Sequence, residues 1–356
     1  MSNDIQDDLF DGHGREPEGQ GRPPRRKRGR KILIAFLIAF LVLVIGVIAV
    51  IALYINGLSR SYDDNVTSMP STEAFPDEGD RPEDTEGTTI LLLGSDKRPE
   101  GGGELGREGE RADSIMLMHI PEDGGEIYVM SVMRDTWVDI PGVGEAKINA
   151  AYQHGGMPLM VETLERHFGT RIDEVMAVDF EGFEGLVDAL GGVTVDVPQS
   201  FTTRHGDVYE AGPTEMDGET ALTFSRERYS FADGDYTRVQ NQRAFIQALL
   251  DRFLDREVLT NPGRISDIVS TISPYLTVSD GLDSGYIRGL VPKMVGVSRS
   301  DIHMFTVPTN GVGTSDDGQS VVLPDEQAMQ EIGDAIDNGT LDEHYQQLSA
   351  DDGSGL

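Results

Sequence analysis

Among 356 residues there is no cysteine. Disulfides, thiolate nucleophiles and Cys-ligated zinc or iron–sulfur centres are excluded, so an exported domain of this chain stands on packing alone. Familiar signatures of other chemistries are also missing: no P-loop, G-x-S-x-G, H-E-x-x-H or dinucleotide-binding glycine pattern occurs. The seven histidines are scattered, and His119 falls inside an expected strand. Each reads as structural or solvent-facing, which leaves Ser/His/Asp nucleophiles without support. Basic residues are scarce too, with 29 Lys+Arg against 62 Asp+Glu and a formal net charge of −33.

What is present begins with an apolar run of 24 residues, Ile32 to Ile55, that carries no charge. A bilayer core takes about 20 residues in a helix, so the run is expected to be a single transmembrane helix. Tyr54 and Asn56 interrupt any small-x-small cleavage pattern at its far end, which marks an uncleaved anchor rather than a signal peptide. Arg25, Arg26, Lys27, Arg28, Arg30 and Lys31 precede the run, and Asp63 and Asp64 follow it. The positive-inside rule then puts the N-terminus in the cytoplasm and the chain from Asn56 onward outside, as a single-pass cell-membrane protein.

Beyond Ile55 there are 21 basic and 56 acidic residues, a net charge of −35. A surface so negative argues against nucleic acid as a partner. Any anion bound there needs a dedicated local pocket. Four of the 21 basic residues fall within one short stretch, "FSRERYSFADGDYTRVQNQR", Phe224 to Arg243.

Residues 1–31 are expected to be a disordered cytoplasmic tail with a basic flank, residues 56–87 an extracytoplasmic stalk rich in Ser, Pro, Asp and Glu, and residues 339–356 a flexible polar tail. The folded domain is expected over residues 88–338. Within it "ILLLG", "SIMLMHI" and "EIYVMSVM" read as strands, the last two joined by a hairpin at Pro121 to Gly125. Met157 to Phe168 has helical spacing, and "FEGFEGLVDALGG" reads as a helix stopped by a glycine pair before the strand "VTVDVP". Strands alternate with helices, so the class is α/β, a sheet layered with helices.

Three constellations stand out. Asp96 follows the strand "ILLLG" and Asp113 precedes "SIMLMHI"; if these strands are antiparallel neighbours, both carboxylates share one sheet edge and suit a hard ion such as Mg²⁺ or Mn²⁺. Ordinary turn and capping roles fit each Asp taken singly. Arg134 and Asp135 sit where a strand ends, a place that presents side chains to a cleft, though a surface ion pair reads the same. In the arginine stretch, "DGETALTF" reads as a helix with Asp217 as N-cap, and Arg226 and Arg228 fall at or beyond its end. A second helix is expected from near Thr237, with Arg238 and Gln242 on one face that continues to Phe245 and Leu249, while Arg243 and Arg252 point elsewhere. Planar guanidinium groups match phosphate oxygens. Internal counter-ions for an acidic domain are the alternative.

Seven ordered blocks, "ILLLGSDKR", "RADSIMLMHI", "SVMRDTWVDIPG", "KINAAYQHGG", "VDFEGFEGLVDALGGVTVDVP", "GETALTFSRER" and "DGDYTRVQNQR", give the chain its resemblance to the LytR-CpsA-Psr (LCP) family. The resemblance is dense from Thr88 to Leu254 and weaker to about Asp337. It implies a mixed β-sheet sandwiched by helices, with an apolar tunnel for a polyprenyl chain. The implied activity is that of a membrane-anchored transferase of Gram-positive and actinobacterial walls, moving a glycopolymer from a polyprenyl diphosphate carrier to peptidoglycan through a phosphodiester bond. Carried over residue by residue, Asp96 and Asp113 resemble the Mg²⁺ ligands, Arg134 the catalytic arginine, and Arg226, Arg228, Arg238 and Gln242 the diphosphate grip. Asp235 matches a family acidic position and, with Asp135, joins the candidate catalytic groups. Two departures are visible: Met133 replaces the proline of the family's S-I-P-R-D, and Asn241 stands where a second arginine is common. Rival readings are a polyprenyl diphosphate phosphatase using water as acceptor, and a non-enzymatic regulator that binds lipid-linked glycan.

Overall fold

The computed structural model describes residues 51–95, 112–227, 230–231, 235–294 and 297–351. The chain divides after Ile55. Of the first part only residues 51–55 are described, and they are helical. Among the described residues no helix is long and apolar enough to cross a membrane; residues 32–50 of the expected span lie outside them.

Asn56–Leu356 is built around a seven-stranded mixed sheet. Its strands are β1 (Thr67–Met69), β2 (Thr88–Ser95), β3 (Ala112–Ile120), β4 (Ile127–Val132), β5 (Glu174–Asp179), β6 (Leu276–Ser279) and β7 (Ile302–Thr306), in the spatial order β1-β6-β5-β2-β3-β4-β7. The central β2, β3 and β4 run antiparallel in sequence, whereas β5 joins β2, β6 joins β1 and β7 joins β4 in parallel. The main helices are α1 (Asn149–Phe168), α2 (Phe180–Ala189), α3 (Gly218–Arg226), α4 (Asp235–Phe253), α5 (Pro262–Ile272), α6 (Ser284–Met294), α7 (Glu326–Asp337) and α8 (Leu341–Asp351).

Both faces of the sheet are covered, which is why "ILLLG" reads as a continuous apolar run rather than an alternation. Leu91, Leu93, Leu117 and Met130 face α1 and α7, where Met160, Leu164 and Ile332 are fully buried. Ile90, Ile127 and Val278 face the opposite way, against α5 and α6, while Met116, Val129 and Met304 meet Ile246 and Leu250 of α4. The result is the expected α-β-α sandwich.

Local signals worked as their chemistry requires. Asp217 caps α3 by accepting from the Thr220 amide at 2.9 Å, and Asp179 caps α2 by accepting from Gly182 at 2.8 Å. The helix expected at Met157 starts earlier, at Asn149, with a kink at Gly155 and Gly156 where Gly156 takes φ +62. Only glycine adopts that conformation without strain.

The segment expected to be a stalk is not a free spacer. β1 extends the sheet edge, the Asp63 carboxylate accepts from the Ser284 amide at 3.0 Å and its hydroxyl at 2.6 Å, and the Tyr62 hydroxyl donates to the Leu282 carbonyl at 3.0 Å. Arg81 is buried against Glu165 at 2.7 Å and stacks on Phe75, and Arg171 holds Glu78 and Asp84. Its acidic and polar residues read as solvated in sequence because their partners come from distant elements. The tail expected after Asn338 likewise contains α8, whose Tyr345 packs 5.6 Å from the Phe305 ring and 4.6 Å from His303.

His119 is structural, as expected of a strand position: it is buried, and its Nδ1 lies 3.0 Å from the Thr89 hydroxyl. Burial disfavours the imidazolium and pushes its pKa down to about 4. The unfolded chain takes up this proton below about pH 6.5, so the stability the neutral imidazole contributes is complete above that pH and declines by about 3 kcal/mol as pH falls toward 4. Half-buried Asp173 and buried Glu174, whose pKa values desolvation raises, act in the opposite sense. Chemical denaturation of wild type and His119→Gln across this range isolates the histidine: the wild type is expected to show the steeper acid loss, and parallel curves would refute it.

Candidate functional site

The antiparallel register sets one edge of the sheet. Gly94 pairs with Ser114, Ser95 with Ala112, and Ile115 with Val132. The end of β2, the start of β3 and the end of β4 therefore lie side by side. Asp113 stands on that edge, and the Arg134 Nη1 donates to its Oδ1. Asp96, the other carboxylate expected here, is outside the described residues. Among the described residues no group of three metal-ligating side chains occurs. Asp113, a partly exposed carboxylate, suits a hard cation that keeps waters and takes its remaining ligands from a phosphate.

Arg134 lies in a tight turn after β4. The Thr136 amide and hydroxyl both donate to the Met133 carbonyl, at 3.1 and 2.6 Å, and the Asn149 amide donates to the Arg134 carbonyl at 3.2 Å. Asp135 Oδ1 is 3.6 Å from Arg134 Nε and 3.4 Å from Lys147 Nζ. Lys147 is a member of the site that sequence reasoning passed over. It sits opposite Trp137 in the hairpin formed by Trp137–Ile140 and Gly144–Lys147, and only its place in the block "KINAAY" hinted at it.

Met133 takes the place of the family's proline and is buried against Val239 of α4 and Val322. The Val322 amide donates to the Asp135 carbonyl at 2.9 Å, so the hairpin of Thr309–Thr314 and Ser320–Pro324 braces the same turn. A side-chain wedge replaces the rigidity a proline ring would supply.

An apolar cavity of about 290 Å³ lies between the second face of the sheet and α2 to α5. Met116 and Met176 form its floor, Phe183, Phe245 and Leu249 its walls, while Asp113, Arg226 and Gln242 lie at its polar rim. Arg226 ends α3, and Glu227 leaves the helix in extended backbone. Arg238 is 4% exposed on α4, one turn before Gln242. Asp235 is the first residue of α4. Arg228 lies outside the described residues, while Arg252 donates to the Leu190 carbonyl at 2.9 Å, apart from this site. Asp113, Arg226 and Gln242 thus put charge and polarity at one end of an apolar cavity, and Arg134 reaches that end through its bond to Asp113.

A model of the LytR_cpsA_psr family matches residues 51–338. The chain belongs to the LytR-CpsA-Psr family. Among its LCP relatives, the polyisoprenyl-teichoic acid–peptidoglycan teichoic acid transferase TagU of Oceanobacillus iheyensis is 35% identical over 62% of this chain and 67% of its own. The probable cell wall biosynthesis protein LcpB of Corynebacterium glutamicum is 35% identical over 70% of this chain, which spans 60% of that relative's length. The regulatory protein MsrR of Staphylococcus aureus is 32% identical over 70% of this chain and 74% of its own. The LCP fold is seen directly in B. subtilis TagV, with a TM-score of 0.60 at 24% identity over 73% of this chain and 99% of that one. It is seen again in the LytR-Csp2A-Psr enzyme of Actinomyces oris, with a TM-score of 0.58 at 22% identity over 72% and 93%.

The wedge role of Met133 is open to test. Met133→Ala removes a buried side chain at a three-element junction and is expected to cost about 2–5 kcal/mol, read as a lowered urea midpoint. An unchanged midpoint would exclude it.

Proposed function

We propose that this protein is a membrane-anchored phosphotransferase that moves an anionic glycopolymer from a polyprenyl diphosphate carrier to a sugar hydroxyl of peptidoglycan. The observation that carries this reading is the junction of an apolar cavity with a rim of Arg226, Gln242 and the Asp113–Arg134 pair. A ligand matching both halves has a hydrocarbon chain joined to a strong anion. The names of TagU relatives in Oceanobacillus iheyensis and Enterococcus faecalis, which pair a polyisoprenyl-linked polymer with peptidoglycan, support it. Anchoring by residues 32–55, with the catalytic domain outside the cell, belongs to the same proposal.

In this reaction the acceptor hydroxyl oxygen bonds to the glycan-side phosphorus, and the bond from that phosphorus to the bridging oxygen breaks. The hydroxyl proton is released, and polyprenyl phosphate leaves with the bridging oxygen. Such transfers pass through loose transition states in which positioning and charge neutralisation matter more than a strong base. Arg226, Arg228 and Arg238 neutralise the departing phosphate, and Gln242 hydrogen-bonds it. Arg134 is aimed by its bond to Asp113 and by Asp135, which Lys147 holds from the other side. Asp135 is engaged by two cations and serves as an orienting group, which leaves Asp235 as the candidate for receiving the proton. A Mg²⁺ or Mn²⁺ ion bound by Asp113 and Asp96 would supply further charge neutralisation at the diphosphate oxygens.

The test uses the full chain in lipid nanodiscs with lipid-linked donor, with and without peptidoglycan. A transferase forms a covalent polymer–wall conjugate; release of lipid phosphate regardless of acceptor would mark a phosphatase, and binding without turnover a regulator. Arg134→Ala is expected to reduce conjugate formation by at least about a hundredfold with the melting temperature retained. Lys147→Met is expected to lower turnover about tenfold through Asp135, chiefly in kcat.

A further inference from the structure

The chain has one tryptophan, Trp137, and it opens the strand that leaves the Arg134 turn. A side chain of that size is ordinarily drawn into a core, yet no apolar cluster among the described residues contains it. The hairpin explains why. Val138 and Ile140 enter the main core and Ala146 packs against it, so alternation leaves Trp137 and Asp139, with Lys147 and Glu145 opposite them, on the outer face. Trp137 and Lys147 are partly exposed there, and Asp139 and Glu145 are exposed. Two carboxylates directly opposite each other cost stability, an arrangement that packing alone does not favour.

This face is joined to the charged edge. Lys147 Nζ lies 3.4 Å from Asp135 Oδ1, Asp135 lies 3.6 Å from Arg134 Nε, and Arg134 Nη1 donates to Asp113 at the cavity rim. A run of paired charges thus leads from the apolar cavity to the face that carries Trp137. A transferase holds one substrate on each side of the reacting phosphorus. The cavity suits the hydrocarbon side, and the hairpin face lies at the other end of the run. What that face offers is suited to a sugar. The electron-rich face of an indole attracts the slightly positive C–H groups on the flat side of a pyranose, and carboxylates accept from hydroxyl and amide N–H groups. Asp139 and Glu145 stand about 7 Å along the strands from the Trp137–Lys147 pair, within reach of the same sugar ring or the next. Arg166, 3.1 Å from Asp139, adds a donor for an acyl carbonyl. The same two carboxylates repel a polyanion, so the face admits a neutral glycan and turns away an anionic polymer.

Resting on the transferase reading above, we propose that the outer face of this hairpin is the acceptor subsite. Trp137 stacks on an N-acylated pyranose of the peptidoglycan glycan, Asp139 and Glu145 accept from its hydroxyl and amide N–H groups, and the attacking hydroxyl is thereby held beside Arg134.

Because the chain has one tryptophan, its indole emission reports on this face alone. Soluble, uncross-linked peptidoglycan glycan strands, titrated without donor into full-length protein in detergent micelles, are expected to change that emission saturably. In transfer assays with lipid-linked donor, Trp137→Ala is expected to raise the KM for the strands about tenfold while the donor KM stays at the wild-type value, and Trp137→Phe to keep most of the affinity. Donor and acceptor constants that rise together would mark a merely structural role and overturn the proposal. Should Trp137→Ala not fold, the exposed pair Asp139→Asn with Glu145→Gln is held to the same criterion. Transfer by wild-type protein with unchanged emission, or an acceptor KM in Trp137→Ala within twofold of wild type, overturns this proposal alone. Absence of transfer by wild-type protein overturns the transferase reading and this proposal with it.

Discussion

The charged edge of this domain depends on the antiparallel register of β2, β3 and β4. Because Ser95 lies opposite Ala112 and Ile115 opposite Val132, the end of β2, the start of β3 and the residues that follow β4 arrive at one place. A slip of one residue between β3 and β4 would turn Asp113 to the other face of the sheet relative to the end of β4 and separate it from Arg134. The parallel strands β5, β6 and β7 add width, and α4 brings the second set of cationic residues across the face that β2 and β3 expose. Met133 is the contact through which these two halves feel each other, since it touches α4 from the turn that carries Arg134.

Much of this arrangement was legible in sequence because it rests on local chemistry. Asp217 as a cap, the turn at Pro121 to Gly125 and the glycine pair ending α2 each follow from short-range hydrogen bonding or backbone conformation. Of the residues in the ordered blocks, Asp113, Arg226 and Gln242 line one cavity, Arg134 is bonded to Asp113, and Arg238 is buried on α4 one turn before Gln242. Residues whose meaning comes from distant partners were not legible. β1 pairs with β6 some two hundred positions away, so a segment of polar composition passed for a spacer. Lys147 became visible only through the Asp135 carboxylate, and Met133 only through its packing against α4. Asp96 and Arg228 fall outside the described residues, and the metal pair and the full arginine grip stay proposals accordingly.

The acidity of the domain gives these cations their context. With 56 acidic residues beyond Ile55, stray anions are repelled over most of the surface, and an anionic ligand is attracted only where basic groups are close together. Arg81, Arg171 and Arg252 are engaged elsewhere in holding the fold. The rim of the cavity is thus set apart from the other cationic groups by what it lies beside, an apolar wall instead of a carboxylate network.

The floor of that cavity is made of methionine, Met116 and Met176, with Met118 and Met304 close by on the same face. Thioether side chains are unbranched and polarizable, and they re-pack at small cost where leucine or isoleucine would resist. A floor of this kind can follow the uneven outline of an apolar ligand and close when the cavity is empty. The same sulfurs are the oxidisable atoms of a protein without thiols. Sulfoxide formation there would put a polar group into the apolar cavity while leaving the charged edge untouched.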